Sequence, residues 1–126
     1  MAKRHILASI YIARAVCISI FLVVPLSPAS VYVFASAMGL LWLSTVPPTN
    51  AAVAQIFGVA HLSMLGGFVF FSHQIGSFLG VWLGGVLYDK TGSYDLVWQI
   101  CIGLGLFAAL INLPVKESAI ARAQTA

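Results

Sequence analysis

SHQIGSFLGVWLGGVLYDKTGSY, residues 72–94, sets Ser72, Gly76, Gly80 and Gly84 four positions apart in an apolar run and then stops at a charged, glycine-containing turn. On a helix of 3.6 residues per turn that spacing draws a slowly drifting stripe of small side chains down one face. Lipid tails are as apolar as Leu, so membrane helices gain little by hiding greasy surface from one another and associate instead through close packing, which small residues permit. The stripe therefore predicts a membrane helix with a helix-packing face, either fixed against a neighbour or sliding along one.

The rest of the chain has the composition of a protein dissolved in lipid. Of its 126 residues 61% are hydrophobic and 7% charged, with a mean hydropathy of +1.03. A soluble domain carries about 25% charged residues, enough to cover its surface. The net charge of +3 does not point to nucleic acid, because the six basic residues form no stripe and sit mostly at the ends of apolar runs. Cys17 and Cys101 lie inside apolar runs without a CxxC spacing, where cysteine is a small hydrophobe. His5, His61 and His73 are far apart, and the acids are Asp89, Asp95 and Glu117, so the sequence suggests no metal set, no cofactor and no catalytic triad. No GxxxxGK[ST] loop is present, which argues against ATP hydrolysis.

Four apolar runs are long enough to cross a hydrocarbon core about 30 Å thick, which takes about 20 helical residues. The first, residues 6–24, ends at Pro25 and Pro28; the second, 29–46, returns antiparallel after a short turn; the third covers 62–88 and the fourth 96–115. The expected fold class is an all-α membrane protein with four transmembrane helices in a single membrane domain spanning residues 1–126. VPPTN, residues 46–50, is expected to break the second run. A short interfacial helix over 51–61 would follow, with Thr49 or Asn50 as its N-cap. A signal peptide at the N-terminus fits poorly, since the first run is longer than an h-region and contains Arg14.

Charge gives an orientation. Lys3 and Arg4 precede the first run, Lys116 and Arg122 follow the fourth, and Lys90 lies in the turn between the third and fourth. An even number of spans with both termini in the cytoplasm keeps four basic residues inside and one outside, as the positive-inside rule requires. Tyr88, Tyr94 and Trp98 then read as an aromatic belt at the outer surface.

Arg14 is the most informative polar residue. A guanidinium within a span is costly unless it snorkels to the headgroups, pairs with an acid or faces water. No acid occurs within any of the four runs. Two readings stay open: a snorkelling side chain, or a contact for an anionic solute or for an acid on helices outside this chain. His73 and Gln74, beside the small-residue stripe, are further candidates for a solute pathway, against the alternative of interhelical hydrogen bonds.

VPPTNAAVAQIFG, residues 46–58, and FFSHQIGSFLGVWLGGVLYDKTGSYDLVW, residues 70–98, resemble the C-terminal end of major facilitator superfamily transporters, in particular the bacterial branch similar to monocarboxylate transporters. The motif of that family's last turn corresponds here to Gly85, Leu87, Asp89, Thr91, Gly92, Ser93 and Tyr94. The resemblance implies that the four runs are helices nine to twelve of a twelve-helix fold, with the turn at 85–94 on the periplasmic side of a bacterial inner membrane. It also implies a fragment whose partners are the lipid bilayer, the missing N-terminal helices and a small solute, plausibly an organic anion, carried by alternating access between two halves. Two rival readings are a non-transporting packing or assembly subunit, for which the stripe suffices, and a small four-span dimeric exporter. The lack of a membrane-embedded acid to couple protons counts against the exporter.

Overall fold

The computed structural model describes residues 2–119; Arg122, which enters the charge count, lies outside the described residues. The elements are α1 (Lys3–Val23), α2 (Pro28–Leu43), α3 (Val46–Phe57), a 3-10 turn (Val59–His61), α4 (Leu62–Thr91) and α5 (Asp95–Asn112). The described residues contain no strand. The chain is an all-α, multi-pass membrane protein, with four helical stretches long and apolar enough to cross a bilayer: Lys3–Val23, Pro28–Phe57, Val59–Thr91 and Asp95–Asn112.

Local chemistry sets most of the boundaries. Val24, held extended at ψ 138 by the proline that follows it, ends α1. Pro28 sits in the first turn of α2, and Ser27 and Ser30 close a reciprocal capping box over it. Gly92 takes φ +72 at the end of α4 and donates its N–H to the Tyr88 carbonyl at 2.7 Å, a left-handed cap that a side chain would strain. The Thr91 hydroxyl bonds the Leu87 carbonyl, and Ser93 Oγ accepts the Asp95 N–H as α5 begins, so the 85–94 motif is a turn that closes one helix and opens the next. Asp89 remains exposed, Gly85 has open space beside it, and Tyr94 stacks on Tyr88 at 4.5 Å.

The expected break at VPPTN is corrected. Pro47 and Pro48 fall in the first turn of α3, where a missing N–H removes no intrahelical bond and the fixed φ already suits a helix. The interruption shrinks to Ser44 and Thr45, whose N–H groups bond the carbonyls of Leu40 and Trp42. The second span thus runs from Pro28 to Phe57; of the residues expected to form a separate interfacial helix, 51–57 are the end of that span and 58–61 lead into α4. Thr49 lies inside α3 and turns its hydroxyl back to the Thr45 carbonyl at 2.6 Å, so neither it nor Asn50 is the N-cap, which is Thr45.

Helix α1 is the centre of the packing, against α5 above all and also against α2 and α3. The buried apolar side chains are Leu7, Ala8, Ala15 and Ile18 on α1 and Ala109 on α5. A Cβ added at Gly105 would stand 3.4 Å from the Tyr11 carbonyl and 3.5 Å from Ala15 Cβ, so here α5 approaches the α1 backbone itself. At one end of the bundle Phe21 stacks on Phe34 at 4.1 Å, and Trp98 meets both edge-on. Trp98 is therefore an interhelical plug rather than part of a surface belt.

The other end is polar. Ala2 cannot cap α1 with its side chain, and no acid occurs in the helix's first turn. Glu117, from beyond α5, supplies the missing anion: its carboxylate accepts the Arg4 N–H at 2.5 Å. Lys3 Nζ donates to Gln55 Oε1, Gln55 Nε2 donates to the Glu117 carbonyl at 2.8 Å, and Arg4 Nη1 donates to the Val115 carbonyl at 3.3 Å. The start of α1, the end of α3 and the segment after α5 are thereby tied together on one side of the bundle, as an even number of spans requires.

The small-residue stripe of α4 has a different setting from α5. Gly84 packs, with Val97 Cγ1 at 3.9 Å from where its Cβ would be, whereas a Cβ at Gly76 or Gly80 would meet nothing within 4 Å. The Gly76–Gly80 part of the stripe has no other described helix against it.

Two outcomes follow from this packing. Gly105→Leu drives a side chain into the α1 backbone and lowers stability by about 1–3 kcal/mol, while Gly76→Leu leaves the isolated chain nearly unchanged; unfolding in mixed micelles distinguishes them. Glu117 is held below its ordinary value of 4.5, chiefly by the Arg4 N–H, against some desolvation, with the Lys3 N–H and the charges of Lys3 and Arg4 adding. Its contribution is therefore full above that value and is lost as pH falls through the lower, folded one. Hydrogen exchange at the Arg4 amide, corrected for intrinsic rate, accelerates on acidification in the native chain and is already fast at neutral pH in Glu117→Gln.

Candidate functional site

Arg14 is the twelfth residue of α1, about 16 Å along a helix about 31 Å long, and so lies half way up the bundle. Its guanidinium stands over Trp42 of α2, with Cζ 5.0 Å from the ring centre, and over Tyr11 of its own helix at 5.8 Å. An aromatic face attracts a cation, an effect worth about 0.5–1 kcal/mol at exposed sites and ~2 when water is excluded. Trp42 and Tyr11 thus hold the charge in place between helices while leaving its N–H donors unused by any carboxylate: none of Asp89, Asp95 and Glu117 borders this region.

Arg14 faces a cleft of about 710 Å³ between α4 on one side and α1 with the α2–α3 span on the other. The cleft exists because of how α4 is anchored. It is joined to α3 through the turn at Gly58, where φ is +88, and returns to the bundle at Gly84 against Val97. Between those points it packs on nothing else extensively. Residues of α4 lining the gap include Leu62, Ser63, Gly66, Val69, Phe70, Ser72 and His73; the opposite wall brings Tyr11, Arg14, Trp42, Thr45, Val46, Thr49 and Asn50.

His73 lies about 16 Å along α4 and reaches the same tryptophan from the other wall, with its ring 5.1 Å from Trp42 and inclined at 64°. Two of the three residues marked by sequence as solute-pathway candidates, Arg14 and His73, are thus brought to one aromatic ring. Gln74, the third, is exposed on α4 and does not line the cleft, since consecutive helical residues point about 100° apart. Of the stripe, Ser72 borders the cleft, and its hydroxyl is bonded to the Val69 carbonyl.

The arrangement sets one guanidinium among largely apolar walls. One fixed guanidinium supplies charge, Val46, Leu62, Val69 and Phe70 supply apolar surface, and Asn50 supplies an amide. The α2–α3 interruption places Thr45 and Val46 at the same cleft. Sequence reasoning missed Trp42 and Tyr11. Tyr11, three residues before Arg14 and so on the same helix face, was a local signal; Trp42, reached only through the fold, gave none.

The chain matches no family model and no solved structure. It is 31% identical over 80 residues, 64% of its length, to YcxA, an uncharacterized MFS-type transporter of Bacillus subtilis (strain 168). The matched stretch is 20% of that protein, so the chain spans only a small part of the relative's length.

Trp42→Leu removes the face that holds Arg14 and the edge contact with His73. It is expected to destabilise the protein in detergent by about 1–2 kcal/mol, whereas Trp42→Phe, which keeps an aromatic face, recovers more than half of that loss in the same thermal unfolding measurement.

Proposed function

We propose that the chain is the four-helix C-terminal part of a major facilitator superfamily secondary transporter, in which Arg14 contacts a small organic anion as it crosses. The observation that carries this reading is a guanidinium half way along a membrane helix, lying on Trp42 in a cleft, with no acid of this chain beside it. A charge in that position is expensive unless it has a function, and intramembrane ionisable groups serve solute and ion pathways. Similarity to an MFS-type transporter and the turn motif from Gly85 to Tyr94 support the family.

In this reading α1, α2–α3, α4 and α5 are helices nine to twelve, in the monocarboxylate-transporter-like branch. The remaining wall of the cleft comes from upstream helices, and rocking of the two halves exposes the site alternately. The bare Gly76–Gly80 face of α4 is available to such helices. Both chain ends, tied together through Arg4 and Glu117, lie in the cytoplasm of a bacterial inner membrane, and the 85–94 turn is periplasmic; the excess of Lys and Arg at the tied end supports that orientation. The reading involves no enzymatic step and no cofactor.

The test is solute exchange in proteoliposomes, with the chain alone and with the chain joined to the upstream helices of the similar B. subtilis transporter. Labelled short-chain carboxylates are expected to exchange in the joined form, and Arg14→Gln to reduce that exchange tenfold or more, ~1.4 kcal/mol of lost interaction. Exchange indifferent to Arg14→Gln would remove the anion. An inserted, folded protein with no exchange in either form would favour the packing subunit.

A further inference from the structure

We propose that the tied end of the bundle is a seat for the phosphodiester headgroup of an anionic phospholipid, held by Lys3, Arg4 and Lys116. The inference goes beyond the transport reading and does not depend on it.

The packing of α1 on α5 decides where the charges gather. The two helices run antiparallel, with Phe21 against Trp98 at one end and Arg4 against Glu117 at the other. Lys3 and Arg4, from the start of α1, therefore meet Lys116, from the segment after α5, at one level of the membrane. Three cations against one carboxylate leave a net charge of +2 there. At the opposite end Lys90 stands with Asp89 and Asp95, one cation against two carboxylates. Lys and Arg beside hydrocarbon draw anionic headgroups, an attraction that fades within about 10 Å, so neighbouring cations act together and Lys90 does not join them.

The hydrogen bonds at this end leave the cations without anions. The Glu117 carboxylate is occupied by a backbone N–H, that of Arg4. Lys3 Nζ donates to the neutral amide oxygen of Gln55, and Arg4 Nη1 to the Val115 carbonyl. Arg4 Nε is enclosed and has no acceptor, an unmet demand of the kind that folded proteins seldom leave. Lys116 is exposed and makes no hydrogen bond among the described residues. A phosphodiester meets this chemistry: its oxygens take charge-assisted bonds from a guanidinium and accept ammonium groups from several directions. A lipid fits better than free phosphate, because Leu110 and Leu113, exposed toward the end of α5, offer apolar surface to acyl chains within a few residues of Lys116.

The test uses the full chain in neutral detergent micelles, titrated with phosphatidylglycerol or with phosphatidylcholine and followed by thermal unfolding and by native mass spectrometry. Phosphatidylglycerol is expected to raise the unfolding midpoint and to remain bound to the chain, and phosphatidylcholine to do neither. Lys116→Gln, at an exposed residue on which no other contact rests, is expected to weaken phosphatidylglycerol by about fivefold, while Lys90→Gln at the opposite end leaves it unchanged. The Arg4 Nε–H resonance of the native chain is expected to shift with phosphatidylglycerol and not with phosphatidylcholine; this readout needs no variant. Equal weakening by Lys90→Gln and Lys116→Gln, or an Arg4 resonance that phosphatidylglycerol does not move, overturns the seat. Inorganic phosphate that displaces the lipid fully at matched ionic strength overturns the lipid as its occupant.

Discussion

The contact on which this bundle depends is the approach of α5 to the backbone of α1 at Gly105. In hydrocarbon, burying apolar side chains gives no advantage over leaving them in lipid, so helices are held by how closely their surfaces fit. Gly105 and Ala109, facing Ala8 and Ala15, let two helices meet with almost no side chain between them. Everything else is arranged around that pair: α2 and α3 lie on α1, and the aromatic plug of Phe21, Phe34 and Trp98 closes one end. The exposed Phe, Leu and Trp side chains of α2 and α4 are then no defect, since lipid is their solvent.

Helix α4 stands apart from this arrangement, and the cleft is the result. It touches the bundle through its first turn, through His73 on Trp42 and near Gly84, and the space between is bordered by one cation, one imidazole and the tryptophan they share. The chemistry of the site comes from what the helices do not do at this level: no acid neutralises Arg14, and no neighbour fills the gap. The interrupted second span contributes as well, because breaking at Ser44 and Thr45 brings Trp42 and the start of α3 to the same depth.

Much of this was legible in the sequence because membrane helices obey two simple demands, length and apolarity, and the runs between polar turns meet both. The left-handed Gly92 and the role of Arg14 as an isolated intramembrane charge could likewise be read from residue types alone. The prolines misled because they can end a helix or begin one, and only the register of Ser44 and Thr45 decides which. The spacing of small residues drew attention to Ser72–Gly84, yet within this chain the intimate contact is made by Gly105 and Ala109. Periodicity identifies a face capable of close approach; which neighbour it approaches is set by topology. For the same reason the meeting of Arg14 and His73 at Trp42 was hidden, since the three residues come from three separate runs.

The pairing of α1 with α5 also bears on how the protein is made. A ribosome delivers α1 before residue 105, and in that interval the surface around Ala8 and Ala15 is without α5. Until then α1 has α2 and α3 to pack on but not its most extensive neighbour. Only when α5 arrives, followed by Glu117 to accept the Arg4 amide, is that face of α1 covered.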